Sequence, residues 1–443
     1  MEFWRWRGAA GDGKKWVVTG GFWEAAFLAR RQPATKTAMT NLTKLWTNTA
    51  QPADALRYGA GRHPGHPGHS ANTRRPITVW NITRTCNLRC VHCYSDSAAM
   101  NYPGELTWPQ MEAVIEDLAA YQVPSLLLSG GEPLIHPRFF DIVQKASAAG
   151  LKLTISTNGT LITPEKAALL KAANVAYVGI SLDGIGKIHD EFRRKEGAFD
   201  AAVRGFRNCH DVGQKAGLRL TLTRHNVQNI EQILDFIEQE EIQRVCFYHL
   251  VPAGRGSSLQ VLTPEESRYA LDTLLARVEA WHQQGVTREL LTVAQPADGA
   301  YLLLRMEQEN HPNLDEARRL LSWNGGGANS SGRGIANIDT QGNVHPDQFW
   351  QDIMLGNVKQ QPFSQIWEGQ NANSAETLRS IRSIGTLSQS ARQSRMVGPC
   401  ASCRWFGICG GGFRTRAAYS ENGGLWGSDP GCYLSESERG VAA

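Results

Sequence analysis

The sequence predicts an α/β protein built around a parallel β-sheet, and two observations support this fold class. Six short apolar segments alternate with segments of helical periodicity between residues 77 and 284. Strict alternation of this kind forms parallel sheets with right-handed crossovers, because each helix joins two neighbouring strands. Polar and glycine-rich motifs also follow the apolar segments directly. Parallel folds place their functional loops after the strands, so we expect a functional site at this edge of the sheet.

The individual elements follow from the hydrophobic period of each segment. Short apolar runs bounded by turn residues predict buried strands, and apolar residues three and four positions apart predict helices. The predicted strands are residues 77–82, 125–128, 151–156, 177–181, 218–223 and 245–250. The predicted helices are residues 109–121, 138–149, 164–173, 198–216, 229–240 and 264–284.

The alternation fades in the last third of the chain. Residues 323–334 are too rich in glycine for the interior of a helix or strand, which predicts either a linker or a loop that closes over a substrate. Gly342 and Asn343 form a pair typical of a hairpin turn. We therefore expect a connecting segment at residues 291–335 and a small cysteine-rich C-terminal domain at residues 336–443.

Residues 1–70 are expected to lie outside the core domain, which we place at residues 71–290. Residues 1–38 contain four tryptophans and no sustained period, which indicates a disordered extension or a start assigned too early. Residues 61–70 repeat His-Pro-Gly and could bind a transition metal. Proline and glycine at the intervening positions favour a flexible linker, because no helix or strand can preset the histidines.

Composition limits the partners and the compartment. The formal charge of +4 comes from residues 1–38, and the remainder has 39 basic and 39 acidic residues, so we expect no nucleic-acid partner. No apolar run approaches the ~20 residues of a membrane span, and no signal peptide is evident. The nine cysteines then predict metal ligands in a reducing cytoplasm. Cys209 and Cys246 lie within predicted elements and are expected in the core.

The motif Cys-x3-Cys-x2-Cys follows the first predicted strand and is formed by Cys86, Cys90 and Cys93. Three thiolates at this spacing can hold three corners of a cubane iron–sulfur cluster and leave the fourth iron open, whereas ferredoxin-type sites bring four cysteines. The alternative is part of a tetrahedral zinc site, completed by His92 or by a distant residue. The spacing alone leaves both possibilities open.

Three further motifs follow successive predicted strands: Ser-Gly-Gly-Glu-Pro at 129–133, Thr-Asn-Gly-Thr at 157–160 and Ser-Leu-Asp-Gly at 181–184. Together with the cysteine motif they resemble the radical S-adenosylmethionine (SAM) superfamily over about residues 75–290. The resemblance implies an open (β/α)6 partial barrel of the TIM type. It also implies a [4Fe-4S] cluster whose open iron chelates SAM, an electron donor such as flavodoxin or ferredoxin, and release of a 5′-deoxyadenosyl radical.

The same resemblance implies which positions contact SAM. The Gly-Gly-Glu-Pro segment would seat the amino group, His92 would lie against the adenine, and Arg193 would bind the carboxylate. Arg194 stands where relatives usually show glycine, so either arginine could fill that role. The positions carried over are His92, Tyr94, Gly130, Gly131, Glu132, Pro133, Ser156, Asn158, Ser181, Asp183 and Arg193.

A second cysteine motif, Cys-x2-Cys-x5-Cys-x22-Cys, is formed by Cys400, Cys403, Cys409 and Cys432. By spacing alone it suits zinc or an iron–sulfur cluster equally. Behind a radical SAM core it resembles a SPASM or twitch extension, whose cysteines carry an auxiliary [4Fe-4S] cluster. A full SPASM domain uses seven cysteines for two clusters, but His345 begins a His-Pro-Asp segment where the first of them usually lie. The resemblance therefore implies one auxiliary cluster and two [4Fe-4S] clusters in total.

Residues 75–437 resemble, more specifically, the radical SAM enzymes of alternative haem biosynthesis. The segments that carry this resemblance are 86–95, 103–106, 192–199, 253–256, 342–347, 355–358 and 409–412. The nearest reaction implied is that of haem d1 biosynthesis, the removal of two propionates from the tetrapyrrole 12,18-didecarboxysirohaem. Other members of the group remove acetates from this substrate or oxidatively decarboxylate the propionates of coproporphyrin.

A substrate rich in carboxylates calls for basic side chains. Arg224, Arg255 and Arg333 are candidates at loop positions, and His249 and His345 could contact the tetrapyrrole iron or its carboxylates. Each of them could equally be a surface or structural residue.

Two other classes of protein remain as alternatives. A SPASM-type maturase that modifies peptides would normally bring a peptide-binding module, and residues 1–70 lack the elements for one. A non-catalytic zinc or iron–sulfur scaffold would have no need for Gly-Gly-Glu-Pro, Asn158 and Asp183 at successive strand ends.

Overall fold

The computed structural model describes residues 39–51, 54, 58, 75–324, 330–370, 372–420 and 424–440. These residues belong to one compact unit. Three predicted features, the extension at residues 1–38, the His-Pro-Gly repeat at residues 61–70 and part of the glycine-rich segment after residue 323, lie outside the described residues.

One sheet forms the centre of the described structure, and its strands lie in the order β1-β8-β7-β6-β5-β4-β3-β2-β9-β10-β11. The strands are β1 (Met39–Asn41), β2 (Ile77–Asn81), β3 (Leu126–Ser129), β4 (Leu153–Thr157), β5 (Tyr177–Ser181), β6 (Ala216–Leu222), β7 (Arg244–His249), β8 (Glu289–Val293), β9 (Ile335–Ile338), β10 (Asn343–His345) and β11 (Gly356–Asn357).

Strands β2 to β8 pair in parallel in chain order, and β9 pairs in parallel with β2. The short β1 pairs antiparallel with β8, and β10 pairs antiparallel with both β9 and β11. The turn between β9 and β10 contains Gly342 with a φ of 87°, which confirms the predicted hairpin.

Helices between β2 and β9 connect the parallel strands, and further helices lie before β2 and after β11. They are α1 (Leu42–Thr47), α2 (Trp108–Ala120), α3 (Phe139–Ala148), α4 (Pro164–Ala172), α5 (Lys187–Arg193), α6 (Ala198–Asp211), α7 (Ile230–Gln239), α8 (Pro264–Gln283), α9 (Ala297–Gln308), α10 (Leu314–Asn324), α11 (Phe363–Trp367), α12 (Ala372–Thr386), α13 (Gln389–Gln393), α14 (Phe406–Cys409), α15 (Arg414–Ala418) and α16 (Glu436–Arg439). Short 3-10 turns span Pro133–Ile135, Val227–Asn229, Gly254–Ser258 and Pro399–Ala401.

The longer helices begin at sequence signals for a helix start. Thr107 before α2 and Thr263 before α8 form capping boxes with Gln110 and Glu266, and a proline lies in the first turn of each helix. A threonine cap satisfies backbone N–H groups that have no partner within the helix, and proline costs nothing there because it lacks one of those groups.

The two faces of the parallel strands differ in chemistry. In β6, Leu218, Leu220 and Leu222 are buried in the hydrophobic core between the sheet and the helices. The alternate residues Arg219 and Thr221 line a cavity on the other face of the strand. Side chains alternate between faces along a strand, so each strand contributes apolar residues to the core and a different set to the interior of the barrel.

The six predicted strands and the six predicted helices are all present, and the structure extends the alternation. The predicted helix at 198–216 ends at Asp211, and β6 already begins at Ala216. Beyond the predicted barrel, β8 and β9 add two parallel strands, with α9 and α10 between them. The expected domain boundary at residue 336 therefore falls inside β9.

Candidate active site

The loop after β2 carries the first three cysteines and is tied to its surroundings through backbone groups. The Cys86 N–H donates to the carbonyl of Ala98 at 3.0 Å. Arg255 donates from Nε to the Cys90 carbonyl at 2.9 Å and from Nη2 to the Ser97 carbonyl at 2.8 Å. The preceding residue, Gly254, has a φ of 54°, and a Cβ there would overlap the carbonyls of residues 93 and 94. The Gly254-Arg255 turn therefore braces this loop.

The three thiols form one group and receive hydrogen bonds. Backbone N–H groups lie 3.4 Å from the sulfurs of Cys86 and Cys93, and Nη1 of Arg193 lies 3.3 Å from the sulfur of Cys90. Burial and, to a lesser extent, the charges of Glu132, Cys90 and Cys93 raise the pKa of the Cys86 thiol to about 12, although the Leu88 N–H acts in the opposite direction. Metal binding would release these protons. Buried, hydrogen-bonded thiols fit an iron–sulfur cluster, since hydrogen bonds to cluster sulfurs and burial both tune its potential.

The Gly-Gly-Glu-Pro segment packs against the cysteine loop without space for side chains. A Cβ at Gly130 would overlap the carbonyl of Thr83, and one at Gly131 would overlap the carbonyls of Arg84 and Thr85. The Gly131 N–H also donates to the Thr83 carbonyl at 2.7 Å. These two glycines permit the close approach of the two loops.

Glu132 joins the ends of β3 and β4. Its side chain is completely buried; Oε1 accepts from Thr157 Oγ1 at 2.7 Å, and Oε2 accepts from the Asn158 N–H at 2.8 Å. Burial raises the pKa of Glu132, although these hydrogen bonds act in the opposite direction. The Asn158 amide in turn donates to Asn87 Oδ1 at 2.8 Å, so Glu132 links the motif of β4 to the cysteine loop.

A buried ion pair of Asp183 and Arg193 lies at the end of β5. Arg193 Nη2 contacts Asp183 Oδ2, and the Thr221 N–H donates to Asp183 Oδ1 at 2.7 Å. Burial alone would raise the pKa of Asp183, but Arg193, His92 and the Thr221 N–H together lower it. The pair therefore stays charged and links β5, β6 and the Cys90 sulfur.

His92 is neutral at pH 7, because burial lowers its pKa to about 4. Its Nε2 lies 4.0 Å from Asp183 Oδ2, while its buried Nδ1 has no hydrogen-bond partner in the described structure. The ring contacts Phe192, with 4.6 Å between the ring centroids. A buried nitrogen without a hydrogen-bond partner costs free energy, so a bound ligand that formed a hydrogen bond with Nδ1 would be stabilised at this position.

Arg193 and Arg194, the two candidates for binding the SAM carboxylate, have different surroundings. Arg193 is buried beside Asp183, whereas Arg194 is exposed and has a φ of 54°. Glycine adopts this left-handed conformation without strain, whereas a side chain such as that of Arg194 is strained there. The structure therefore brings Arg193, and not Arg194, next to Asp183 and the Cys90 sulfur.

A cavity of about 990 Å³ occupies the barrel interior and brings many of these residues together. Of the predicted SAM positions it is lined by His92, Tyr94, Ser156, Ser181, Asp183 and Arg193. Asp347, Phe349 and Phe413, from the C-terminal part of the chain, line the same cavity. The C-terminal segment therefore contributes to one wall of the candidate site.

The five residues predicted to contact substrate have different surroundings. Of these five, in the described structure, His249 alone lines the cavity; its Nε2 lies 3.1 Å from Asp298 Oδ2. Arg255 braces the cysteine loop, and Arg224 pairs with Glu266 at 3.2 Å on the exterior. The two ring nitrogens of His345 contact the Ile353 carbonyl at 2.8 Å and Asp339 at 3.2 Å. Arg333 lies in the loop before β9.

The four C-terminal cysteines also form one group. Burial raises the pKa of the Cys409 thiol, and Cys432, Cys400 and Cys403 raise it further. Gly410, Gly411 and Gly412 follow Cys409 with positive φ angles of 64°, 89° and 87°. This turn lets the Phe413 N–H reach the Asp429 carboxylate at 2.6 Å, and Asp429 lies three residues before Cys432.

The arrangement of ligands differs from that of a single-ion site. Among the described residues, no three His, Cys, Asp or Glu side chains converge to hold one metal ion. A cubane cluster instead binds each thiolate through a different iron atom.

Every helix in the described part of the chain is too short or too polar to cross a membrane.

Several cavity residues were not identified from the sequence. Tyr177, Arg219 and Tyr248 lie on the interior face of β5, β6 and β7. The available signal was an arginine inside an otherwise apolar strand, Leu-Arg-Leu-Thr-Leu at 218–222. Asp298, which pairs with the cavity residue His249, gave no such signal, because α9 is buried over most of its surface.

Comparison with known proteins agrees with this geometry. The family model of the radical SAM superfamily matches residues 80–237, and that of the SPASM iron–sulfur cluster-binding domain matches residues 330–404. The fold resembles the solved structure "Native anSMEcpe with bound AdoMet", with a TM-score of 0.62, 18% identity and coverage of 82% of this chain and 95% of the other. At this identity the likeness shows the fold alone.

Two curated relatives are much more similar in sequence. Fe-coproporphyrin III synthase of Methanosarcina barkeri is 43% identical over 406 residues, which cover 91% of this chain and 99% of the relative. Pre-heme d1 synthase of Dinoroseobacter shibae is 39% identical over 386 residues, which cover 86% and 91%. The present chain thus carries a radical SAM domain, with its [4Fe-4S] cluster and SAM, and a SPASM iron–sulfur domain. The chain belongs to the radical SAM superfamily and, within it, to the haem-biosynthesis family.

Proposed function

We propose that this enzyme removes two propionate side chains from 12,18-didecarboxysirohaem, the reaction type of haem d1 biosynthesis. The proposal is carried by the segments that resemble the haem d1 branch of the family, among them residues 192–199, 253–256 and 409–412. The 39% identity to pre-heme d1 synthase over 91% of that relative supports it. The cavity supports it, because predicted SAM positions and residues of the C-terminal segment line one continuous space.

A second candidate is removal of acetate side chains from the same tetrapyrrole. The 43% identity to Fe-coproporphyrin III synthase, over 99% of that relative, favours it. Both candidates require the same enzyme parts and differ only in which carboxylate-bearing side chain is held at the reacting position. Identity at this level assigns the family and leaves the side chain to experiment.

We assign the following roles within the chain. Cys86, Cys90 and Cys93 hold the cluster, which with SAM supplies the 5′-deoxyadenosyl radical. Arg193 binds the SAM carboxylate through its charged fork, and Asp183 holds that fork in place. The neutral ring of His92 provides a face for the adenine.

The remaining roles belong to the second cluster and the reductant. Cys400, Cys403, Cys409 and Cys432 hold an auxiliary [4Fe-4S] cluster. A flavodoxin or ferredoxin of the cytoplasm supplies the electron.

The test is an anaerobic incubation of the reconstituted enzyme with SAM, a reductant and 12,18-didecarboxysirohaem, followed by mass analysis. Loss of two propionates with both acetates retained is the expected result, and Cys90→Ala serves as the inactive control. Loss of acetates instead would replace the first candidate by the second. Formation of 5′-deoxyadenosine with an unchanged tetrapyrrole would refute both.

A further inference from the structure

Arg219 places a positive charge inside the barrel. It lies in the middle of β6, where it pairs across the sheet with Ser181 of β5 and Cys246 of β7. Its neighbours Leu218 and Leu220 face the core, whereas Arg219 lines the cavity and is partly exposed to it. Its strand partner Ser181 is one of the predicted SAM positions, and the guanidinium itself lies over Gly179, two residues before Ser181 on the same face of β5.

This guanidinium has no acidic partner in the described part of the chain. Its Nε has no hydrogen-bond partner, and its main electrostatic neighbours are Tyr248, Tyr177 and Cys246. Three other arginines of the interior each face a carboxylate, in the pairs Arg193–Asp183, Arg244–Glu289 and Arg416–Asp429. The buried Arg414 instead donates to backbone carbonyls, among them that of Gly427 at 2.7 Å. A cation withdrawn from bulk water without a counterion is costly, so an anion that enters the cavity would be stabilised there.

The surroundings of Arg219 leave space for such an anion and offer hydrogen bonds. The side chain of Arg219 lies over Gly179, where a Cβ would overlap the guanidinium, so the absence of a side chain at residue 179 makes room for it. The hydroxyl of Tyr177 is buried without a hydrogen-bond partner in the described structure. Tyr177 and Tyr248 both line the cavity. A planar guanidinium with free N–H groups binds a carboxylate through two parallel hydrogen bonds.

We infer that Arg219 is the anchor for one carboxylate of the substrate, held in the barrel interior between Tyr177 and Tyr248. The inference rests on the proposed function, which supplies a substrate with several carboxylates. A carboxylate anchored over Gly179 would leave the carbon chain that bears it free to extend along the barrel interior towards Ser181 and the other predicted SAM positions. Arg219 would thereby help to determine which side chain of the tetrapyrrole is presented.

The experiment measures binding by the change in tetrapyrrole absorbance, with reconstituted full-length protein. Two probes are used, 12,18-didecarboxysirohaem and its fully methylated ester, in which a neutral methyl ester replaces every carboxylate. The wild type should prefer the acid to the ester. Arg219→Gln should reduce this preference about tenfold to a hundredfold, since hydrogen bonds to charged groups contribute about 1.5–3 kcal/mol. Arg219→Lys, which keeps the charge but loses the fork, should give an intermediate value.

Controls separate this site from folding and from SAM. Arg277→Gln makes the same change at an arginine that pairs with Asp235 and Glu238 outside the cavity, and it should leave the preference unchanged. Iron content, circular dichroism and SAM cleavage without substrate should match the wild type in Arg219→Gln. An unchanged preference for the acid would overturn the inference, as would a parallel loss of SAM binding, because the carboxylate would then be that of SAM.

A failure of the proposed function would give a different result. If the wild type bound neither tetrapyrrole, titration with sodium propionate by calorimetry would test the carboxylate site alone. If propionate bound to the wild type but not to Arg219→Gln, Arg219 would still be a carboxylate-binding site, although for a ligand other than this tetrapyrrole. Absence of binding to both would overturn the site as well.

Discussion

Replacing Asp429 by asparagine should loosen the loops that carry the C-terminal cysteines. The buried Asp429 carboxylate accepts from Nε and Nη2 of Arg416, both at 2.7 Å, and from the N–H groups of Phe413 and Gly431 at 2.6 and 2.9 Å. It therefore ties the turn after Cys409 to the segment before Cys432. The pair stays charged, because Arg416 and these hydrogen bonds lower the pKa of Asp429 against the effect of burial.

The magnitude follows from the unpaired charge that the substitution leaves. Removing one partner of a buried ion pair costs about 3–5 kcal/mol. Arg416 keeps one hydrogen bond to Gln295 at 2.9 Å, and asparagine retains one acceptor oxygen, so the lower end of that range applies. About 3 kcal/mol raises the population of the opened loops roughly a hundredfold.

The assay is anaerobic extraction of iron by a chelator, followed by visible absorbance. A background in which Cys86, Cys90 and Cys93 are alanine leaves only the C-terminal cluster to be observed. Asp429→Asn should release iron roughly a hundredfold faster than this parent, in line with the opened population. Asp141→Asn, at an exposed pair with Arg138, is the matched control and should have no effect.

Release from Asp429→Asn within about twofold of the parent would refute the reasoning, since the expected change is roughly a hundredfold. The double replacement Arg416→Leu with Asp429→Leu provides an independent check. It removes both charges and leaves neither unpaired, so release should be slower than in the single variant. Equal or faster release from the double variant would mean that hydrogen-bond geometry, and not the buried charge, is responsible.

Three further predictions concern the clusters and the SAM site. Reconstituted protein should contain about eight iron atoms per chain, and the variant with Cys86, Cys90 and Cys93 changed to alanine about four; stoichiometric zinc in the native C-terminal site would contradict this. Cys90→Ala should abolish SAM cleavage, whereas Cys409→Ala should retain uncoupled cleavage and lose substrate turnover, and equal loss of 5′-deoxyadenosine in both folded variants would contradict separate roles. Gly131→Ala should reduce cluster content because its Cβ would overlap backbone carbonyls of the cysteine loop, and wild-type iron content would show that the loop can adjust.

The parallel strands of the core were predictable because each is a short apolar run between turn residues. The later elements were harder to identify for specific reasons. In β8 every residue from Glu289 to Val293 is buried, and the strand follows the long helix α8 after only a short turn. In α9, Asp298 and Gly299 are buried along with the apolar residues, so the sequence lacks the polar face from which a surface helix is recognised.

At the site, the motifs could be identified from the sequence, but the directions of the charged side chains could not. The cysteine and glycine motifs were found because their spacing is set by local backbone geometry. Arg255 was predicted to contact the substrate and Arg219 was not identified, because the sequence does not show in which direction an arginine side chain turns. Arg255 turns towards the carbonyls of the cysteine loop, and Arg219 towards the barrel interior. His345 likewise has both ring nitrogens engaged within its own hairpin.

The sequence by itself determined the class of fold, the two groups of cysteines and the strand ends at which the motifs lie. These features depend on the periodicity of apolar residues and on local spacing, both of which are properties of short segments. The tertiary structure alone decided which charges are paired and which face the cavity. That outcome depends on contacts between segments far apart in the chain, such as Arg416 with Asp429 or His249 with Asp298, because burial and distance determine the energy of a charge.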